Sequence, residues 1–238
     1  MKKKWIWIIS GVLALAVAVA AVWFFAFHLP DVREKKERQQ IVADYYAMKV
    51  AMYAQENEKY EDYEVDVAFL GDSLTDGYDL ERYYPQFVTV NRGIGGDTTF
   101  GLEKRMQVSV YDLKPKVVVM LIGANNLHNM FDNYEKLLIG LRDNLPETKV
   151  VLVSLTSMGM DWAHMNQLAA YNNVKIKLLA EKYGYSYVDL YAALFNLETG
   201  EIRAEYTTDG GHQTHEGYEV FTANITPVVT ALLNTWEE

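Results

Sequence analysis

No cysteine occurs in the 238 residues. The chain therefore has no disulfide, no thiolate nucleophile, no thiolate-held metal or cluster, and no sulfur to carry a lipid. No run of Lys and Arg occurs beyond the first fifty positions, and 32 acidic against 22 basic residues leave a formal net charge of -10. The footprint of a nucleic-acid binder is missing, so nucleic acid is not expected as a partner. Hydrophobic residues make up 50% and charged residues 23%, which excludes wholesale disorder. There is no internal repeat and no low-complexity tract. What remains is enough chain for one α/β domain with a sizeable core and a short extra segment.

That extra segment is N-terminal. After Lys2, Lys3 and Lys4, residues 5–29 contain no formal charge unless His28 is protonated. About 20 such residues cross the ~30 Å of a bilayer core. Residues 1–30 are therefore read as a membrane anchor. A cleaved signal sequence is the rival, because Ala16-Val17-Ala18 and Ala18-Val19-Ala20 have the form of cleavage sites. Val22, Trp23, Phe24, Phe25 and Phe27 prolong the apolar run past them, which favours the anchor. Basic residues flank the run on both sides, with Arg33, Lys35, Lys36 and Arg38 following it, so the positive-inside count is balanced. A short basic tail ahead of the first apolar segment is the usual export arrangement. The expectation is a single-pass protein of the cell membrane with its domain outside, the alternative being a secreted form. Residues 31–62 are charged with apolar positions at helical spacings, a helical linker or a first helix packed on the domain. Residues 63–238 form the domain.

Within the domain, short β-rich runs at 65–70, 88–90, 117–122, 150–154 and 187–190 alternate with stretches long enough for crossover helices, such as 134–144 and 164–183. This alternation predicts a parallel sheet between two helical layers. Ligands in such folds bind beyond the carboxyl ends of the strands.

Four polar blocks fall at those ends. Gly71-Asp72-Ser73-Leu74-Thr75-Asp76-Gly77 puts a serine on a strand-to-helix turn, as a nucleophile or only as a cap. Asn91-Arg92-Gly93-Ile94-Gly95-Gly96-Asp97-Thr98-Thr99 offers glycine N–H groups for close approach, or a tight turn capped by Asp97 or Thr98. It lacks the G-x-G-x-x-G spacing of a dinucleotide site. Gly123-Ala124-Asn125-Asn126 offers an amide to a developing oxyanion, or is a turn. Asp209-Gly210-Gly211-His212 can set a carboxylate against one imidazole nitrogen and leave the other as a base, or His212 is an ordinary surface histidine. Asp209, His212 and His215, at intervals of three, are also a candidate metal set.

In order, spacing and position, these blocks resemble the SGNH/GDSL hydrolase family over residues 65–233. The resemblance implies a three-layer α/β/α, flavodoxin-like fold and a serine esterase that needs no cofactor and no metal. It implies Ser73 as nucleophile, His212 as general base and acid, Asp209 as the orienting carboxylate, and an oxyanion hole built from the Ser73 N–H, the Gly93 N–H and the Asn125 side chain. Two positions depart from the family pattern: Asn126 stands where Asp is common, and Gln213-Thr214 where Pro-Asn is common. Neither removes a catalytic group. The glycine-rich second block is similar to that of members acting on short acyl groups, and an external enzyme meets polysaccharides, so the expected substrate is a small-molecule or glycan ester, foremost an acetylated carbohydrate. Lysophospholipase, thioesterase or acyltransferase activity, or glycan binding without catalysis, are the alternatives.

Overall fold

In the computed structural model, residues 29–236 are described, together with ten isolated positions between 5 and 26. Five strands alternate with helices: β1 (Val67–Gly71), β2 (Thr89–Gly93), β3 (Val117–Leu121), β4 (Lys149–Val153) and β5 (Ser186–Val188). All neighbours run parallel, in the order β2-β1-β3-β4-β5. The runs read from hydrophobicity are these strands, shifted by at most a few residues. The shift matters only at β2, which continues through Gly93.

Strand periodicity divides the core. Along β3, Val118 and Met120 point to one layer with Leu102, Leu137, Leu141 and Ile176, from helices Thr99–Met106, Tyr134–Asn144 and Asn166–Tyr183. Val117, Val119 and Leu121 point to the other, with Phe221, Ile225 and Val229 of the last helix, His215–Asn234. Because both faces are covered, β1 and β3 are buried at every position, which is why they read as continuous apolar runs. The result is an α/β/α sandwich whose chain reverses direction across the sheet beside β1. That switch point is where ligands bind in open α/β sheets. Gly71 is in register with Gly93 and with Leu121, so the first three polar blocks leave the sheet at one level.

By its contacts the chain separates into residues 1–48 and 49–238. The helix Leu29–Asn57 accounts for the helical spacing in 31–62, and its last turns belong to the second unit. The proposed anchor, 1–30, lies for most of its length outside the described residues. Among the described residues, no helix is long and apolar enough to cross a membrane.

Candidate active site

Ser73 is the first residue of a one-turn helix, Ser73–Asp76, that follows β1 directly. Asp72 caps it, its Oδ1 accepting the Leu74 N–H at 3.1 Å. This turn leaves the Ser73 hydroxyl at the sheet end while the flanking Asp72 and Leu74 are buried. Asp72 is wholly buried, its Oδ2 has no hydrogen-bond partner among the described residues, and burial raises its carboxyl to about 7.

The fourth block reaches Ser73 from 139 residues further along the chain. His212 Nε2 lies 3.1 Å from Ser73 Oγ, and its Nδ1 lies 2.7 Å from Asp209 Oδ2. Asp209 Oδ1 accepts the N–H of Gly211 at 2.9 Å and of His212 at 2.7 Å. Hydrogen bonds from the His212 backbone and ring hold the Asp209 carboxyl down at about 2, although half of the side chain is exposed. Gly210 makes this turn possible: its φ is +88°, and a Cβ there would come within 2.2 Å of the Gly159 carbonyl oxygen. His215 goes elsewhere, to Tyr83 Oη at 2.5 Å, to Arg82 at 2.8 Å and to Glu219 at 3.2 Å. The intervals of three therefore do not gather Asp209, His212 and His215 into one ligand set.

Asn125 lies on a 3-10 turn after β3, and its Nδ2 donates to the Asp97 carbonyl at 2.9 Å, leaving its second amide hydrogen. Asn126 points away from Ser73: its Oδ1 accepts the Thr99 N–H at 3.2 Å, and its Nδ2 donates to Thr99 Oγ1 at 2.9 Å. Both of the amide's functions thus steady the start of helix Thr99–Met106. Thr214, the other departure, caps the last helix through the Gly217 N–H.

Gly93 is the exception among the expected donors. It ends β2, and its N–H is taken by Asn91 Oδ1 at 2.9 Å. It is a glycine for packing, since a Cβ would meet the Asp76 nitrogen at 2.2 Å. The signal was present in the sequence, because an Asn two residues ahead forms an Asx turn with that N–H. The next N–H groups are also engaged, Ile94 by the Gly71 carbonyl at 3.2 Å and Gly95 by Asp76 Oδ2 at 2.9 Å. Asp97 N–H closes a turn onto the Ile94 carbonyl at 3.1 Å. Gly96 stands at the third position of that turn with φ +76°, which suits glycine. It is exposed, and among the described residues its N–H has no acceptor.

Behind the loop lies a buried ion pair, Arg105 Nε to Asp97 Oδ2 at 2.8 Å. The same guanidinium donates to the Arg92 carbonyl at 2.8 Å and the Gly71 carbonyl at 2.9 Å, tying the ends of β1 and β2 together. In front of Ser73 is a cavity of about 90 Å3 lined by Leu74, Ala124, Asn125, Thr156, Met158, Trp162, Gly211 and His212.

The parallel sheet in the order β2-β1-β3-β4-β5, covered by helices on both faces, puts the chain in the class of α/β/α sandwiches of flavodoxin-like topology, with this polar cluster at the switch point. Residues 69–220 match the model of the GDSL-like lipase/acylhydrolase family, and the chain belongs to that family. It is similar to platelet-activating factor acetylhydrolase IB subunit alpha2 of Homo sapiens, at 30% identity over 130 residues, 51% of this chain and 57% of that protein. The chain thus spans little more than half the length of the curated relatives it matches. Among solved structures, a GDSL-like lipase from Bacteroides thetaiotaomicron superposes with a TM-score of 0.68 at 25% identity, covering 76% of this chain and 97% of that one. The acetylxylan esterase Axe2 of Geobacillus stearothermophilus shares the fold, with a TM-score of 0.58 at 21% identity, covering 71% and 95%.

Proposed function

We propose that this chain is a serine esterase for short acyl esters, foremost acetyl esters of carbohydrates. The observation that carries the reading is the alignment of Ser73 Oγ, His212 and Asp209 through contacts of 3.1 and 2.7 Å. In this mechanism the Ser73 Oγ–H proton passes to His212 Nε2 as Oγ bonds to the ester carbonyl carbon. Asp209 holds the ring in the tautomer that leaves Nε2 free and stabilises the imidazolium. Collapse of the tetrahedral intermediate breaks the bond to the alcohol oxygen, which takes the proton from His212. Water then loses a proton to Nε2 as it bonds to the acyl carbonyl carbon, and collapse of this second intermediate breaks the bond to Ser73 Oγ, which takes the proton back from His212 as the acid leaves.

The oxyanion is held by the Ser73 N–H, the Asn125 amide and the Gly96 N–H, which takes the place first given to Gly93. Such preorganised donors are worth about 100- to 1,000-fold each in kcat. The short acyl group is supported by the cavity of about 90 Å3, small beside the ~300–1,000 Å3 of sites for drug-sized ligands. The relative's name, an acetylhydrolase, agrees with it. Trp162, half-exposed on the rim, offers a flat face against which a sugar ring can stack. The apolar run 5–29 supports attachment of the enzyme to a cell membrane, and the short basic tail ahead of it supports an external domain.

The test is hydrolysis of p-nitrophenyl esters from acetate to palmitate, alongside acetylated xylo-oligosaccharides and a lysophospholipid. The expected outcome is a maximum at acetate or propionate and release of acetate from the sugar. A maximum at eight carbons or more would overturn the short-acyl reading.

A further inference from the structure

The last turns of helix Leu29–Asn57 reach the loop that carries the oxyanion donors, far from where that helix sits in the sequence. Lys49 Nζ lies 2.7 Å from Asp76 Oδ1, each side chain only 15% exposed, and the other oxygen of the same carboxylate accepts the Gly95 N–H at 2.9 Å. Four residues on, Tyr53 is almost wholly buried, and its hydroxyl donates to the Gly93 carbonyl oxygen at 2.5 Å. That peptide is held from both ends, because its N–H, on Ile94, donates to the Gly71 carbonyl. The Tyr53 ring lies between two cations, Arg92 at 4.7 Å and Lys49 at 5.5 Å from its centroid. Arg92 returns to the helix through Glu56 and through Asn57 Oδ1 at 2.9 Å.

Residues at i and i+4 share one face of a helix, so Lys49 and Tyr53 act side by side. One fixes the peptide that enters the Ile94–Asp97 turn, the other fixes the N–H of Gly95. Gly96, the next residue, has φ +76°, and among the described residues its N–H has no acceptor. Its direction is set by the two peptides before it. We propose that Lys49 and Tyr53 are positioning residues for the oxyanion hole, so that a segment outside the family match at 69–220 is part of the catalytic apparatus. The inference rests on the reading of Ser73 as nucleophile and Gly96 as donor.

A donor displaced by about 1 Å can cost on the order of 100-fold in rate without weakening ground-state binding. The effect should therefore fall on kcat. The experiment compares the full chain with Tyr53→Phe, Lys49→Met, Lys49→Arg, Met52→Ala and Ser73→Ala. It measures kcat for p-nitrophenyl acetate per active site titrated with a fluorophosphonate, together with KM, Tm and the inhibition constant of an alkylboronic acid, whose tetrahedral adduct puts an oxygen in the oxyanion hole. For Lys49→Met the expected loss is about 10- to 100-fold in kcat per titrated site, KM changing by less than about 3-fold, with the boronate weakened in parallel. Tyr53→Phe deletes one oxygen and keeps the ring between its cations, so it folds even where Lys49→Met does not. It should lose roughly 3- to 10-fold in the same pattern. Lys49→Arg should regain most of the lost rate, and Met52→Ala, half-exposed on the same helix, should match the parent. If the variants lower Tm or the titratable fraction but leave kcat per site and boronate binding unchanged, the helix only stabilises the fold and the proposal is overturned. Activity persisting in Ser73→Ala would instead overturn the reading of the nucleophile on which it rests.

Discussion

The two sides of the cleft are built by different means. On the serine side, Asp72 is wholly buried, one of its oxygens has no partner among the described residues, and its carboxyl is pushed up to about 7. On the histidine side, Asp209 is half-exposed and three hydrogen bonds from two neighbouring residues hold it at about 2. The serine is placed by a sheet that cannot move without disturbing the core. The histidine is placed by a local turn, made possible by Gly210 and anchored where Gly159 N–H donates to the Gly210 carbonyl at 2.8 Å. Rigidity is thus inherited from the fold on one side and made by short-range hydrogen bonds on the other.

Removing the proposed nucleophile and the proposed base tests whether the two sides act as one unit. Ser73→Ala and His212→Ala should each lower kcat by roughly 10,000-fold or more, and the double variant should lose little beyond the worse single one. Near-additive losses would mean that the two residues serve separate steps. Asn125→Ala, which removes a donor from the serine side only, should cost about 100- to 1,000-fold in kcat with little change in KM. A nearly silent Asn125→Ala would take the amide out of the oxyanion hole.

The two carboxylates should also respond to pH with opposite sign. Asp72 titrates near 7 when folded and at 3.8 when not, so between about pH 4 and 7 the folded state keeps a proton that the unfolded state releases. Its contribution is most favourable below pH 4 and is lost as pH rises towards 7. Asp72→Asn should therefore leave stability near pH 4 little changed and raise it at pH 8 by on the order of 2 to 4 kcal/mol, read from urea unfolding at both pH values. Asp209 behaves in reverse, its folded value of about 2 lying below 3.8. Its contribution is present above pH 4 and fades as pH falls to 2, and solvent screening keeps it small. A stability profile for Asp72→Asn parallel to that of the parent at all pH values would show that Asp72 is already paired.

The smallest effect is expected at Asn126. In Asn126→Asp the carboxylate can still accept the Thr99 N–H, but the 2.9 Å donation to Thr99 Oγ1 is lost unless that hydroxyl turns to donate instead. Activity should stay within about tenfold of the parent. A loss as large as that of Asn125→Ala would break the distinction between the adjacent amides.

The sequence by itself determined the α/β alternation, the level of the sheet at which chemistry collects, and the serine, histidine and aspartate that meet there. It could do so because strand and helix periods are local, and because residues at strand ends are brought together by any parallel sheet. The signal at Gly93 is local too: β2 runs three residues beyond 88–90, and the Asx turn from Asn91 takes the N–H that a loop glycine would keep free. Only the tertiary structure decided that His215 turns to Tyr83 and Arg82, because those partners lie 132 and 133 residues away along the chain. It alone also brought Lys49 and Tyr53 to Asp76 and Gly93, because contacts 27 and 40 residues apart depend on how a helix packs against the sheet. No periodicity within the helix records which neighbour it will meet.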